Sequence, residues 1–69
     1  MKKSVSLEEC EWGQIVDGLT CRAELYEETV RYYESGYTER EIAEVSDADE
    51  ARDLARMYRR IIRKIEAAQ

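Results

Sequence analysis

Tyr32-Tyr33-Glu34-Ser35-Gly36-Tyr37-Thr38-Glu39-Arg40-Glu41 is the stretch whose reading decides the fold. Gly36 stands where a helix would stop, in the left-handed position past its end that glycine fills without steric cost. Tyr37 is then placed to pack back on the last turn. Thr38 sets a capping side chain three residues before Glu41. At that spacing the hydroxyl accepts a bond from the backbone N–H at the glutamate position, and the glutamate reaches back to the N–H of the cap residue. One helix ends here and another begins, with no linker between them. The same spacing recurs at Ser6-Leu7-Glu8-Glu9 and at Asp47-Ala48-Asp49-Glu50. The three starts predict helices over 7–35, 38–46 and 48–67, and no strand.

Periodicity supports the two long helices. Trp12, Ile15, Val16, Leu19, Ala23, Tyr26, Val30 and Tyr33 recur at intervals of three or four, as do Ala51, Leu54, Ala55, Tyr58, Ile61, Ile62 and Ile65. Asp17-Gly18 is a turn-prone pair, with Thr20 available as a new cap. The apolar stripe nevertheless keeps its phase across this pair, which predicts one helix rather than two. At 1.5 Å per residue the long helices span about 43 Å and 30 Å. Two such stripes face each other as an antiparallel hairpin, with Ile42, Ala43 and Val45 of the short helix plugging the joined end. The expected fold is therefore all-α, a single helical domain over 1–69 in which two long helices are joined through one short helix.

Leu7, Cys10, Cys21, Leu25 and Tyr32 fall on the far side of the first helix, almost opposite the main stripe. A helix with two apolar faces needs a second partner, so this face reads as a self-association surface by which the hairpin dimerises into a helical bundle. A dimer would also enlarge the small core available to so short a chain.

Composition limits the chemistry. The chain has 16 acidic and 11 basic residues, a net charge of −5, and no histidine. The usual base near neutral pH is thus missing, and a Glu-x-x-His motif cannot occur. Neither cysteine has a cation three or four residues away to lower its pKa. Two thiols without histidine do not complete a zinc site, and there is no glycine-rich phosphate loop. The chain is read as non-enzymatic, with no metal and no cofactor. Cys10 and Cys21 lie about 16 Å apart along a continuous helix, beyond disulfide reach, so both are expected to be reduced. Reduced thiols, no apolar run of membrane length, and a Met1-Lys2-Lys3 start with no hydrophobic segment behind it point to the cytoplasm.

Gly36-Tyr37-Thr38-Glu39-Arg40-Glu41-Ile42-Ala43-Glu44-Val45 resembles the opening helix of the DNA-binding helix-turn-helix in LuxR-type regulators and sigma-factor region 4. That resemblance implies a turn and a recognition helix to follow. Ser46-Asp47 stands where those families have a leucine–glycine turn, and Asp53 occupies their apolar position. The helix that would meet the DNA backbone opens on carboxylates.

Charge is unevenly spread. Residues 1–45 carry eleven acidic and five basic side chains, residues 46–69 five and six. An acidic chain is repelled by bulk nucleic acid. Arg52, Arg56, Arg59 and Arg63 form one strip on the last helix. This strip can balance Glu24, Glu27, Glu28 and Glu34 of the first helix, or it can dock an anionic partner. Arginine outnumbers lysine there, and its planar, bidentate contacts suit recognition. Tyr58 on the same helix and Tyr37 are the aromatic candidates, since tyrosine and arginine are enriched in interface hot spots.

The sequence therefore predicts a small helical inhibitor or adaptor. It binds a protein partner through Arg52, Arg56, Arg59, Arg63, Tyr58 and Tyr37, and self-associates through Leu7, Cys10, Cys21, Leu25 and Tyr32. It is of the type encoded by phages and mobile elements, including anti-defence proteins. Two alternatives compete: a helix-turn-helix-like DNA-binding regulator, and an oligomer that sequesters an anionic nucleotide.

Overall fold

The computed structural model describes residues 5–68, with helix α1 over Glu9–Ser35, helix α2 over Ala48–Ala68, and no strand among the described residues. Residues 1–4 and 69 of the expected domain lie outside that range. Within it the principal extents are 42 × 26 × 17 Å.

α1 begins slightly later than the Ser6 signal predicts. Its cap is Glu8, whose N–H donates to Glu11 Oε1 at 2.8 Å. The three-residue reciprocity is kept but moved two positions along. This brings Glu9 and Glu11 into the first turn, where the helix dipole favours them. α1 then runs unbroken through Gly13 and Asp17-Gly18. Thr20 does not cap a second helix, because its hydroxyl donates to the Val16 carbonyl at 2.7 Å inside the first. The stop falls where the sequence puts it. Gly36 takes φ 79° and ψ 6°, and its N–H donates to the Tyr32 carbonyl at 2.7 Å. At the start of α2, Asp47 Oδ1 accepts the Glu50 N–H at 2.8 Å. The Glu50 carboxylate returns to the N–H of Ser46 at 3.2 Å, one residue before the cap.

The short helix expected over 38–46 does not form; this stretch is an irregular connector. α1 takes the polar groups that such a helix would have used internally. Thr38 Oγ1 accepts the Arg40 N–H at 3.2 Å, two residues on rather than three, and donates to Glu28 Oε2 at 3.0 Å. The Ala43 N–H donates to Thr29 Oγ1 at 2.8 Å, and the Tyr33 hydroxyl donates to the Val45 carbonyl at 2.9 Å. A nine-residue helix is marginal by itself, and these fixed partners outcompete it. The loop runs down α1 past Glu28 to Arg40, which lies 3.8 Å from Glu24, and then climbs back to Tyr33.

The core is small and made of small residues. Ala23 and Ala51 are fully buried, Ala55, Ile62 and Tyr26 nearly so, and Thr29 is the buried polar residue. Val30, Leu54 and Tyr58 pack around Tyr26, Ala51 and Ala55, joined by Ala43 and Val45 from the connector. Two of the three residues expected to plug the joined end do so, while Ile42 is exposed. Glu34 reaches Arg52 and Glu27 reaches Arg59, while Trp12 lies beside Ile61 and Ile65. Residue numbers thus rise along one helix as they fall along the other, the antiparallel hairpin of the sequence reading. Of the described helices, none is long and apolar enough to cross a membrane.

Candidate functional site: an arginine groove

α2 uses one stripe for the core, and its arginines repeat beside that stripe at intervals of three and four. Ala51, Ala55 and Ile62 face α1. Arg52, Arg56, Arg59 and Arg63 occupy the flank, as their spacing requires. They line an open groove of about 510 Å³ between the helices, completed by Glu27, Val30, Arg31 and Glu34 of α1 and floored in part by Ala55. Five arginines face two glutamates there, a positive concavity in a protein of net charge −5.

The arginines are of two kinds. Arg59 holds Glu27 bidentately, through Nε at 3.0 Å and Nη2 at 2.8 Å. Hydrogen bonding to Arg59 keeps the Glu27 carboxyl below its ordinary pKa, and the same bond raises Arg59. Glu27 therefore stays ionised at neutral pH, as its pairing with Arg59 requires. Arg52 is forked between Glu34 Oε2 at 3.0 Å and Asp49 Oδ1 at 2.7 Å. Arg56 and Arg63, both exposed, make no ion pair among the described residues. The strip combines the two roles the sequence left open, balance with α1 and unpaired charge. Opposite them, Arg31 joins the groove from α1, bonded to Glu28 at 2.8 Å.

The two aromatic candidates lie elsewhere. Tyr58 does not line the groove; its ring stacks on Tyr26 with centroids 5.7 Å apart and planes 20° from parallel. Arg22 covers the Tyr26 ring at 5.2 Å and donates to its hydroxyl at 2.9 Å. Tyr58 is thus committed to packing. Tyr37 is 66% exposed, but it sits on the connector with its hydroxyl on Glu39 at 3.2 Å.

The residues expected to self-associate do not form one continuous free face. Cys21 and Leu25 border a cleft between α1 and Glu39-Arg40-Glu41, so the connector supplies part of the partner this face lacked. Leu7 is half-buried, Cys10 is exposed, and Tyr32 lies edge-on to Tyr33 with centroids 5.7 Å apart. Both cysteines are free.

Three participants escaped the sequence reading. Arg31 is a lone cation among glutamates, and its spacing from Glu27 and Glu34 was the available signal. Arg22 and Tyr26 sit four apart, which places a cation over a ring on a helix. Thr29, a polar residue at the edge of the stripe, gave no sign that it would be buried. Among the described residues no group of three or more Asp, Glu, Cys or His side chains could hold a metal ion. Comparison with protein-family models, curated proteins and solved structures gives no significant match for this chain.

Proposed function

We propose that this protein is a non-enzymatic interaction module that docks an acidic partner protein in the arginine groove between α1 and α2. The observation that carries this reading is the division of labour among the arginines. Arg52 and Arg59 are paired with carboxylates of α1, whereas Arg56 and Arg63 stand in the same groove and form no ion pair among the described residues. A guanidinium left unpaired beside paired ones is a ready donor for an incoming carboxylate, and no internal ion pair has to be broken for it to bind. Val30 and Ala55 give the groove an apolar floor, as a protein interface needs. The inhibitor or adaptor role, in the manner of small phage and mobile-element proteins, rests on analogy of size and charge.

The test is charge reversal. Poly-L-glutamate, titrated against the whole protein at low salt, is expected to bind the wild type, weakening as salt rises. Arg56→Glu with Arg63→Glu should remove binding without loss of helicity, because neither side chain holds the hairpin. Equal binding by the folded double variant would sink the reading. A preference for random duplex DNA, or thermal stabilisation by a nucleotide panel alone, would move it to one of the two alternatives.

Self-association is a separate proposal, supported by the exposed Cys10 and Tyr32 on α1 and by half-buried Leu7 just before it. Sedimentation of the wild type against Leu7→Glu with Tyr32→Glu tests it, and an 8.1 kDa species for the wild type at micromolar concentration would remove it.

A further inference from the structure

The hairpin contains a worked example of how the groove binds acid. Arg52 and Arg59 are seven residues apart on α2; Glu34 and Glu27, their partners at 3.0 Å and 2.8 Å, are seven apart on α1. Seven residues are close to two turns, a rise of about 10.5 Å on either helix, so both pairs close together when the helices run antiparallel. Arg56 and Arg63 repeat that spacing. They lie four residues beyond the first pair, which turns them by about 40° toward the open side of the groove. There they meet no carboxylate among the described residues.

We infer that the occupant of the groove is an acidic α-helix of a partner protein, laid antiparallel to α2, with two carboxylates seven residues apart on Arg63 and Arg56. This rests on the groove being the docking site and specifies what docks there. An extended strand does not meet the requirement: at about 3.3 Å per residue it would need carboxylates three apart, and these point to opposite sides. A helix meets it and leaves its residue midway between the two carboxylates over Val30 and Ala55, where a small apolar side chain fits. The docked element completes a three-helix bundle. A second copy of this chain is a poorer occupant. Apart from Glu27 and Glu34, the pair with this spacing within a helix is Asp17 and Glu24, and Glu24 lies 3.8 Å from Arg40.

The experiment uses the full chain and two labelled, alanine-rich helical peptides of about 20 residues. Both have the same composition. One carries two glutamates seven apart with alanines between them; the other carries them five apart, on different sides of its helix. Fluorescence anisotropy at low salt should show the first binding about three- to fivefold more tightly, the gain from engaging a second charge-assisted contact where the other peptide engages one. The preference should vanish for Arg56→Ala with Arg63→Ala, while far-UV circular dichroism is unchanged. Equal affinities that both depend on these arginines would overturn the helical register and leave the groove as the docking site. Binding of either peptide that is indifferent to both arginines, or no binding at all, would overturn register and groove together. A wild-type dimer dissociated by Arg56→Ala and by Asp17→Asn would make the second copy the occupant and overturn the partner helix.

Discussion

Thr29→Val isolates what holds the connector. Thr29 is fully buried, and its hydroxyl donates to the Leu25 carbonyl at 2.7 Å while accepting the Ala43 N–H at 2.8 Å. Valine keeps the branching and nearly the volume of threonine, so helix propensity and packing change little. What disappears is the acceptor for Ala43. A net hydrogen bond is worth about 1 kcal/mol, and a buried donor left without a partner costs about 1–3 kcal/mol. Ala43 is only half-buried, so water reaches its N–H in part and the lower end applies. The expected loss is about 1–2 kcal/mol, or about 5–15 °C in Tm for a domain of this size. Urea and thermal unfolding followed by circular dichroism give the global cost. Amide exchange at Ala43 gives the local one, and its protection should fall in Thr29→Val but survive in Thr29→Ser. If Thr29→Val lay within about 0.5 kcal/mol of wild type with the Ala43 amide still protected, the clasp would not be what shapes the connector.

Other perturbations probe the rest of the hairpin. Gly36→Ala should cost about 1 kcal/mol in urea unfolding, because φ is 79° there. Gly13→Ala and Gly18→Ala should each gain about 0.5–1 kcal/mol, since both are helical and an added Cβ meets nothing within 4 Å. Ile62→Ala should cost about 2–4 kcal/mol, the side chain being 6% exposed, and half-buried Ile61→Ala should cost less. The Glu27–Arg59 pair adds a pH dependence whose sign follows from the lowered Glu27 pKa. A carboxyl depressed in the folded state stabilises above its unfolded value, and that contribution is lost as pH falls through the folded value. Wild type should exceed Glu27→Gln by under about 1 kcal/mol at neutral pH, because both partners are more than one-third exposed. The difference should close in acid, as measured by urea unfolding across the carboxylate range.

The two long helices were legible because their signals are local. A stripe at intervals of three and four, Gly36 at the stop and Asp47 three residues before Glu50 each act within one turn or one face. The connector was not legible, because Thr38 before Glu41 looks the same whether its hydroxyl caps a helix or bonds to Glu28 ten residues back. The competition is decided by Thr29, Tyr33 and Glu28, whose proximity exists only after the hairpin closes. The arginine groove was half legible. The spacing of Arg52, Arg56, Arg59 and Arg63 put them on one strip, and Glu27 and Glu34 stood among the expected acidic partners. Which arginines pair and which stay open depends on the offset between the helices, a quantity no single helix encodes. Tyr58 misled for the same reason: beside the strip in sequence, it turns toward Tyr26 in the packed pair.

The uneven placement of aromatic rings gives the open end of the hairpin its own optical reporter. Trp12, the sole tryptophan, sits at the open end beside Ile61 and Ile65, while Tyr32, Tyr33 and Tyr37 cluster where the chain turns. The clasp of Thr29, Thr38 and Tyr33 secures the turning end, and no comparable set of side-chain hydrogen bonds ties the open end among the described residues. Helix pairs of this kind unzip from the less secured end, so tryptophan fluorescence should begin to change at lower denaturant than circular dichroism or tyrosine absorbance. Coincidence of the three transitions would instead mark a single cooperative unit, in which docking at the groove is felt at both ends at once.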